Sequence, residues 1–421
     1  MSPGHRVALC TLGGTIASFP HAGGPGVLPG ELSPSLGSVI EQILPGVEIT
    51  EHSLAQVPSA AIDFDLMRAV IAHAEAEVAA GATGVVVTTG TDTLEEVAFA
   101  LDLMWSAPAP LIVTGAMRDP GAPRADGPAN LVSAVRVATD PATSDLGVAV
   151  VMNDRIHAPS QVQKRHTTHV DALVSAGGPL GEISEGAVYL HAHPPRRQPL
   201  DVPDAPFPPV ALLRATMGDN GRLLTHIVDL GYRGMVVEAA GGGSTPPSWA
   251  QPLEQIARHI PVLYAGRPGT GPALRSTYGG VGAEIDLQRR GLIPAGMLDG
   301  LKARVLLPSC SPRAPTASTY AEPSPIPHPR QSRPERTSSL PTHVPATPTC
   351  LNRHFAVRGS RTAWRPPTRV RHPGGRHALL VAHPNRELVA LRPHRQTATV
   401  KRIRQRHSEL PERVPRNRHQ P

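Results

Sequence analysis

Lysine is nearly absent from this 421-residue chain, with three against 38 arginines. Cysteine is as scarce: Cys10, Cys310 and Cys350 are an odd set without metal-type pairing. That excludes a disulfide framework and fits a reducing compartment. Aromatic residues make up 3% of the chain and form no cluster on which bases would stack. No apolar stretch approaches the roughly 20 residues of a membrane-spanning helix. The first apolar run, residues 7–12, is too short for the core of a secretory signal. Together these absences predict a soluble cytoplasmic protein without a membrane partner.

Acidic charge is missing from the C-terminal quarter. From Pro308 onward there are 21 Lys+Arg and 5 Asp+Glu. The net charge of +7 therefore averages a tail at +16 and a body, residues 1–307, at −9. The tail is rich in Arg, Pro and His and lacks hydrophobic periodicity, which predicts a disordered extension. A basic arm for nucleic acid is the rival reading, and nucleic acid is not an expected partner because stacking aromatics are missing.

The body is patterned. Apolar, β-branched runs at 6–11, 84–88, 111–114 and 147–152 alternate with helical apolar spacing over 62–80, 94–104 and 129–138. This rotation predicts an α/β fold, a doubly wound parallel sheet covered by helices on both faces. Ligands of such sheets bind at the carboxyl ends of strands. A Pro-rich stretch over 191–209 reads as a linker. Alternation resumes at 210–213, with a helix near 224–230, a strand at 234–238, a helix at 249–259, a strand at 261–265 and a closing apolar segment at 303–307. The expected organisation is a larger domain over 1–190, a linker over 191–209, a smaller α/β domain over 210–307 and a tail over 308–421.

Three stretches carry residues suited to chemistry. In "TLGGTIA", Gly13 and Gly14 follow a strand where backbone turns sharply or approaches a ligand. Thr15 comes next; a threonine hydroxyl attacks only when a base activates it and donors stabilise the oxyanion. In "VTTGTDTLEE", residues 87–96, Thr91 or Asp92 suits a helix N-cap and the glutamates fit a capping box. Capping does not require Thr88, Thr89, Thr91 and Asp92 together. In "QKRHTTHVD", Lys164 stands out because this composition uses Arg wherever a permanent charge suffices, while a lysine can lose its proton. His166 and His169 lack a carboxylate partner at metal-site spacing, and neither a metal nor a cofactor is expected.

"GGTIA", "TGTDT" and "K-x-H-T", in this order, resemble the bacterial L-asparaginase (asparaginase/glutaminase) family. Further matches are "TGAMRDPGAPRADGPANL", "VVEAAGGG" and "LRSTYGGVGAEIDLQRRGLIPAG", so the resemblance spans about residues 5–307. It implies an amidohydrolase that converts L-asparagine, or L-glutamine, to the acid and ammonia. Thr15 matches the family's nucleophile, and Thr91, Asp92 and Lys164 match its Thr-Asp-Lys triad. Asp92 and Thr91 also bind substrate in that family. Ser59 matches the position that holds the α-carboxylate, and Glu284 a glutamate supplied by a neighbouring subunit. A shared site implies a homodimer or homotetramer. An ammonia-delivering amidotransferase would carry an N-terminal extension for tRNA, and none precedes Val7 in this sequence. A catalytically impaired member with a nucleic-acid-binding tail is the reading from another class.

The pattern departs from the family in places. No tyrosine lies between Phe19 and Gly30, where members carry one that assists the nucleophile. Ala60 replaces a substrate-binding glutamine of some members, and Thr89 a histidine. Beyond Leu307, prolines break the family's last helix, which predicts a less stable second domain.

Overall fold

A computed structural model describes residues 4–20, 27–29, 36–200 and 205–309. The tail expected to be disordered, and most of the loop without tyrosine, lie outside these residues. The main sheet has eight strands: β1 (His5–Thr11), β2 (Val47–Ser53), β3 (Gly84–Thr88), β4 (Leu111–Thr114), β5 (Val148–Met152), β6 (Arg155–His157), β7 (Gly181–Ser184) and β8 (Ala187–Leu190). Their spatial order is β8-β7-β6-β5-β4-β3-β1-β2. The first five strands in sequence are mutually parallel, and β6 to β8 add an antiparallel edge.

Strands β3, β4 and β5 are wholly buried and apolar except for Thr88 and Thr114 at the carboxyl ends of β3 and β4, as expected of parallel strands covered on both faces. The covering helices are α1 (Leu36–Ile43), α2 (Phe64–Ala79), α3 (Leu94–Met104) and α4 (Gly127–Thr139). Successive strand residues point to opposite faces. Val7, Leu9, Val86 and Ile112 therefore pack with α1 and α4, while Ala8, Cys10, Val85 and Val87 pack with α2 and α3. Asp63 starts α2 by accepting the Leu66 N–H at 2.9 Å. The chain runs from β1 outward to β2 and returns on the other side at β3. That reversal is a topological switch point, the place where doubly wound sheets open a crevice.

The 191–209 stretch is packed rather than loose along its described part. Leu200 N–H donates to Leu103 O at 2.7 Å, Arg197 pairs with Asp102 at 2.8 Å, and Phe207 stacks on Phe64. The second sheet follows, four parallel strands in order: β9 (Val210–Arg214), β10 (Gly234–Ala239), β11 (Val262–Gly266) and β12 (Ile293–Pro294). Its helices are α5 (Ala250–Ala257), α6 (Glu284–Arg289) and α7 (Gly300–Ser309). The helix expected near 224–230 is a 3-10 turn, Arg222–His226.

The closing apolar segment lies within α7. Ala303, Val305, Leu306 and Leu307 are buried there and share one core cluster with α3 and the second sheet. Helix α7 thus packs on both halves of the body. Pro308 occurs in its last turn; lacking an N–H, it removes one helical hydrogen bond there, and the helix ends one residue later at Ser309.

Candidate active site

Backbone contacts between glycines assemble the crevice. Gly13 and Gly14 follow β1 with φ of +91° and +82°, a region that favours glycine. A Cβ on Gly14 would overlap the backbone of Gly90, which follows β3. A Cβ on Gly90 would lie 2.9 Å from Ser59 Oγ. Thr15 comes directly after Gly14 and opens a 3-10 turn, Thr15–Ala17. Ser59 opens another, Ser59–Ala61, and Thr91 comes directly after Gly90. The backbone beside Thr15, the backbone beside Thr91, and Ser59 are therefore brought close together by approaches that only glycine allows.

Lys164 ends a short strand, Val162–Lys164, that pairs antiparallel with Leu173–Ser175. Its Nζ donates to Thr91 Oγ1 at 2.9 Å and to Asp92 Oδ1 at 2.6 Å. Thr91 is buried. Asp92, by contrast, has 76% of its side chain exposed against 13% for Lys164, so the carboxylate fixes the amine from the solvent side and stays open to an incoming cation. A cavity of about 330 Å³ opens here, lined by Asp92, Glu95, Lys164, Arg165, His166 and Thr167. A larger cavity, about 670 Å³, lies by β9 and is lined mainly by apolar residues such as Leu213 and Ile227. Size does not identify the site here; convergent polar groups do.

The capping expectation for "VTTGTDTLEE" is not how these residues are used. The residue before α3 is Thr93, and no side chain caps the helix. Thr93 Oγ1 instead donates to Ser59 O at 2.8 Å. Glu95, read as part of a capping box, turns inward. Its Oε1 accepts the Lys164 backbone N–H at 3.1 Å, and its Oε2 accepts from Lys302 Nζ at 2.9 Å. The Lys302 side chain is wholly buried and also donates to Asp299 Oδ2 at 2.9 Å. Gln163 Nε2 donates to the same Asp299 oxygen at 2.7 Å. Sequence reasoning missed this network, which ties the first turn of α7 to the backbone carrying the site amine. Its signal was available: Lys302 is one of only three lysines.

Glu284 is placed elsewhere in the chain. It opens α6, is 0% exposed, and accepts backbone N–H groups of Thr277 and Tyr278 through Oε1. Its Oε2 is buried and unpartnered among the described protein groups. His166 and His169 stack with ring centroids 3.5 Å apart. Nδ1 of His166 accepts the N–H groups of Thr168 and His169, so that nitrogen shapes the loop after Lys164.

Fold and site together define a two-domain α/β enzyme with a hydroxyl–amine–carboxylate group at its switch point. Residues 6–196 match the family model "Asparaginase, N-terminal", and residues 209–315 match "Glutaminase/Asparaginase C-terminal domain". The chain belongs to the asparaginase family, hydrolases that act on amides. It is 37% identical over 305 residues to a probable L-asparaginase of Deinococcus radiodurans, covering 72% of this chain and 91% of that one. A crystal structure of a probable cytoplasmic L-asparaginase from Campylobacter jejuni superposes with a TM-score of 0.66 at 30% identity, covering 72% and 94% of the two chains. A component of the glutamyl-tRNA(Gln) amidotransferase of Methanosarcina barkeri is 28% identical over 272 residues, 61% of this chain and 63% of that one.

Proposed function

We propose that the protein is an L-asparaginase, hydrolysing the side-chain amide of L-asparagine to L-aspartate and ammonia. The observation that carries this reading is Lys164 Nζ held between Thr91 Oγ1 and Asp92 Oδ1. In the proposed cycle Thr15 Oγ attacks the amide carbon, its proton passes to the amide nitrogen, and ammonia leaves an acyl-enzyme ester. Lys164 and Thr91 then take a proton from water as it attacks the ester. Aspartate departs and Thr15 regains its proton. Asp92, open to solvent, holds the substrate's α-ammonium, and Ser59 holds its α-carboxylate. No cofactor enters this sequence.

Glutamine is the alternative substrate, and an ammonia-releasing amidotransferase-type subunit of the same fold is the second reading. Ammonia release from asparagine and from glutamine separates them: the asparaginase reading predicts a higher kcat/KM for asparagine. Thr15→Ala and Thr91→Ala should each lower that rate steeply, and activity that survives both substitutions overturns the assignment. We further propose that Glu284 completes the site of a neighbouring copy in a homodimer or homotetramer. Mixing Lys164→Met with Glu284→Gln protein should then restore activity that neither has alone. No recovery after the copies exchange refutes the shared site.

A further inference from the structure

A second polar cluster lies outside the crevice, between the edge strand β2 and helix α2. His52 stands on β2, and His73 and Glu77 stand one turn apart on α2, a spacing that puts both on one helix face. One ligand atom from each of the three lies within 4.8 Å of the others. Nε2 of His52 is 3.3 Å from Glu77 Oε1. Nε2 of His52 and Nε2 of His73 are both shielded from solvent and have no hydrogen-bond partner among the described protein groups. Two such nitrogens beside a carboxylate are an expense that folded proteins rarely leave uncompensated.

We propose that His52, His73 and Glu77 form a binding site for a borderline divalent cation of the Zn²⁺ class. The donor set is two neutral imidazoles and one carboxylate, which suits Zn²⁺ and its transition-metal neighbours better than Mg²⁺ or Ca²⁺. A tetrahedral ion with bonds near 2.0–2.1 Å spaces its ligands about 3.4 Å apart. The His52–Glu77 separation already meets that, and the third ligand closes by little more than an ångström. Glu77 Oε2 meanwhile accepts from Arg6 at 2.9 Å, which leaves Oε1 to the ion and fixes its orientation. Water takes the fourth position, as at zinc sites with three protein ligands. Neither the cysteine spacing nor the His166–His169 spacing points to a metal, because this site joins residues of two elements. An ion there would clamp β2 to α2 just before the loop that leads to Ser59.

Nine of the chain's 20 histidines lie beyond Pro308 and bind metal in their own right, so the test is a difference. Full-length protein stripped with chelator is titrated with Zn²⁺, and wild type is compared with His73→Gln, His52→Asn and a His166→Ala/His169→Ala control. Wild type and the control should each bind one equivalent more than either triad variant. Zn²⁺ at 100 times its dissociation constant should raise the wild-type Tm by roughly 5 °C relative to the variants. Equal stoichiometry in wild type and folded His73→Gln protein overturns the proposal. A readout free of folding defects uses wild type alone: Zn²⁺ should protect His52 and His73 from diethyl pyrocarbonate, read by peptide mass spectrometry. Equal modification rates with and without Zn²⁺ also overturn it.

Discussion

Lys302→Met tests how the second half of the body holds the site. The substitution keeps the side chain's approximate volume and removes a charge whose exposure is 0%. It leaves Glu95 and Asp299, whose side chains are 8% and 10% exposed, as two buried carboxylates without their shared cation. Breaking a buried pair from one side costs about 3–5 kcal/mol, because the surviving charge is uncompensated. With about 1.6 °C of Tm per kcal/mol for a body of about 300 residues, the loss is roughly 5–8 °C. Glu95 Oε1 also holds the Lys164 backbone N–H, and a shift of about 1 Å at a reacting group costs on the order of 10²-fold in rate. Thermal and urea unfolding, with steady-state ammonia release from asparagine, read both effects. Adding Glu95→Gln to Lys302→Met should recover part of the stability, with a coupling of about 1–3 kcal/mol in the double-mutant cycle. A Tm within about 2 °C of wild type and an unchanged kcat/KM for Lys302→Met would refute the reasoning.

Gly14→Ala should drop kcat/KM about 10²-fold by forcing Gly14, and Thr15 after it, away from the Gly90 backbone, whereas Gly46→Ala, with φ of +98° but no atom within 4 Å of the new Cβ, should cost only about 1 kcal/mol of stability; equal activity losses at the two positions would contradict the packing argument. His157 is pushed down to about 4, mainly by burial and then by Arg155. The unfolded chain takes up that proton near pH 6.5 and the folded chain only near 4, so stability falls as pH drops through this window, by roughly 3 kcal/mol in all. His157→Gln should flatten the pH dependence of the urea midpoint between pH 6.5 and 4, and an unaltered slope sinks the argument. The Cys10 thiol, raised to about 12 by burial first and Glu77 second, should resist alkylation at pH 8 in the native protein and react once unfolded. Fast native labelling of Cys10, read by peptide mass spectrometry, contradicts its buried placement.

The switch-point strands were legible because their physics is local. Residues 84–88 and 111–114 are short apolar runs between turn residues, and 94–104 repeats apolar residues at helical spacing; all three segments form where expected, as β3, β4 and α3. Lys164 was legible through scarcity, since a chain that uses arginine almost everywhere marks the lysine it keeps. The same scarcity marks Lys302, but its partner Glu95 lies 207 residues away, and no local pattern states such a pairing. Glu95 itself was misread because Asp92-Thr93-Leu94-Glu95 satisfies a capping pattern that the folded chain does not use. His52 and His73 escaped for a similar reason: His73 and Glu77 share a helix face, but only the packing of α2 against the edge strand brings His52 to them.

The central claim is that the Lys164–Thr91–Asp92 group hydrolyses a carboxamide. Its most direct test is ammonia release from L-asparagine by wild type and by Lys164→Met, with folding checked by circular dichroism. Wild type should release ammonia, and Lys164→Met, folded, should lose about 10²–10⁴-fold in kcat. A folded Lys164→Met protein as fast as wild type would contradict the account.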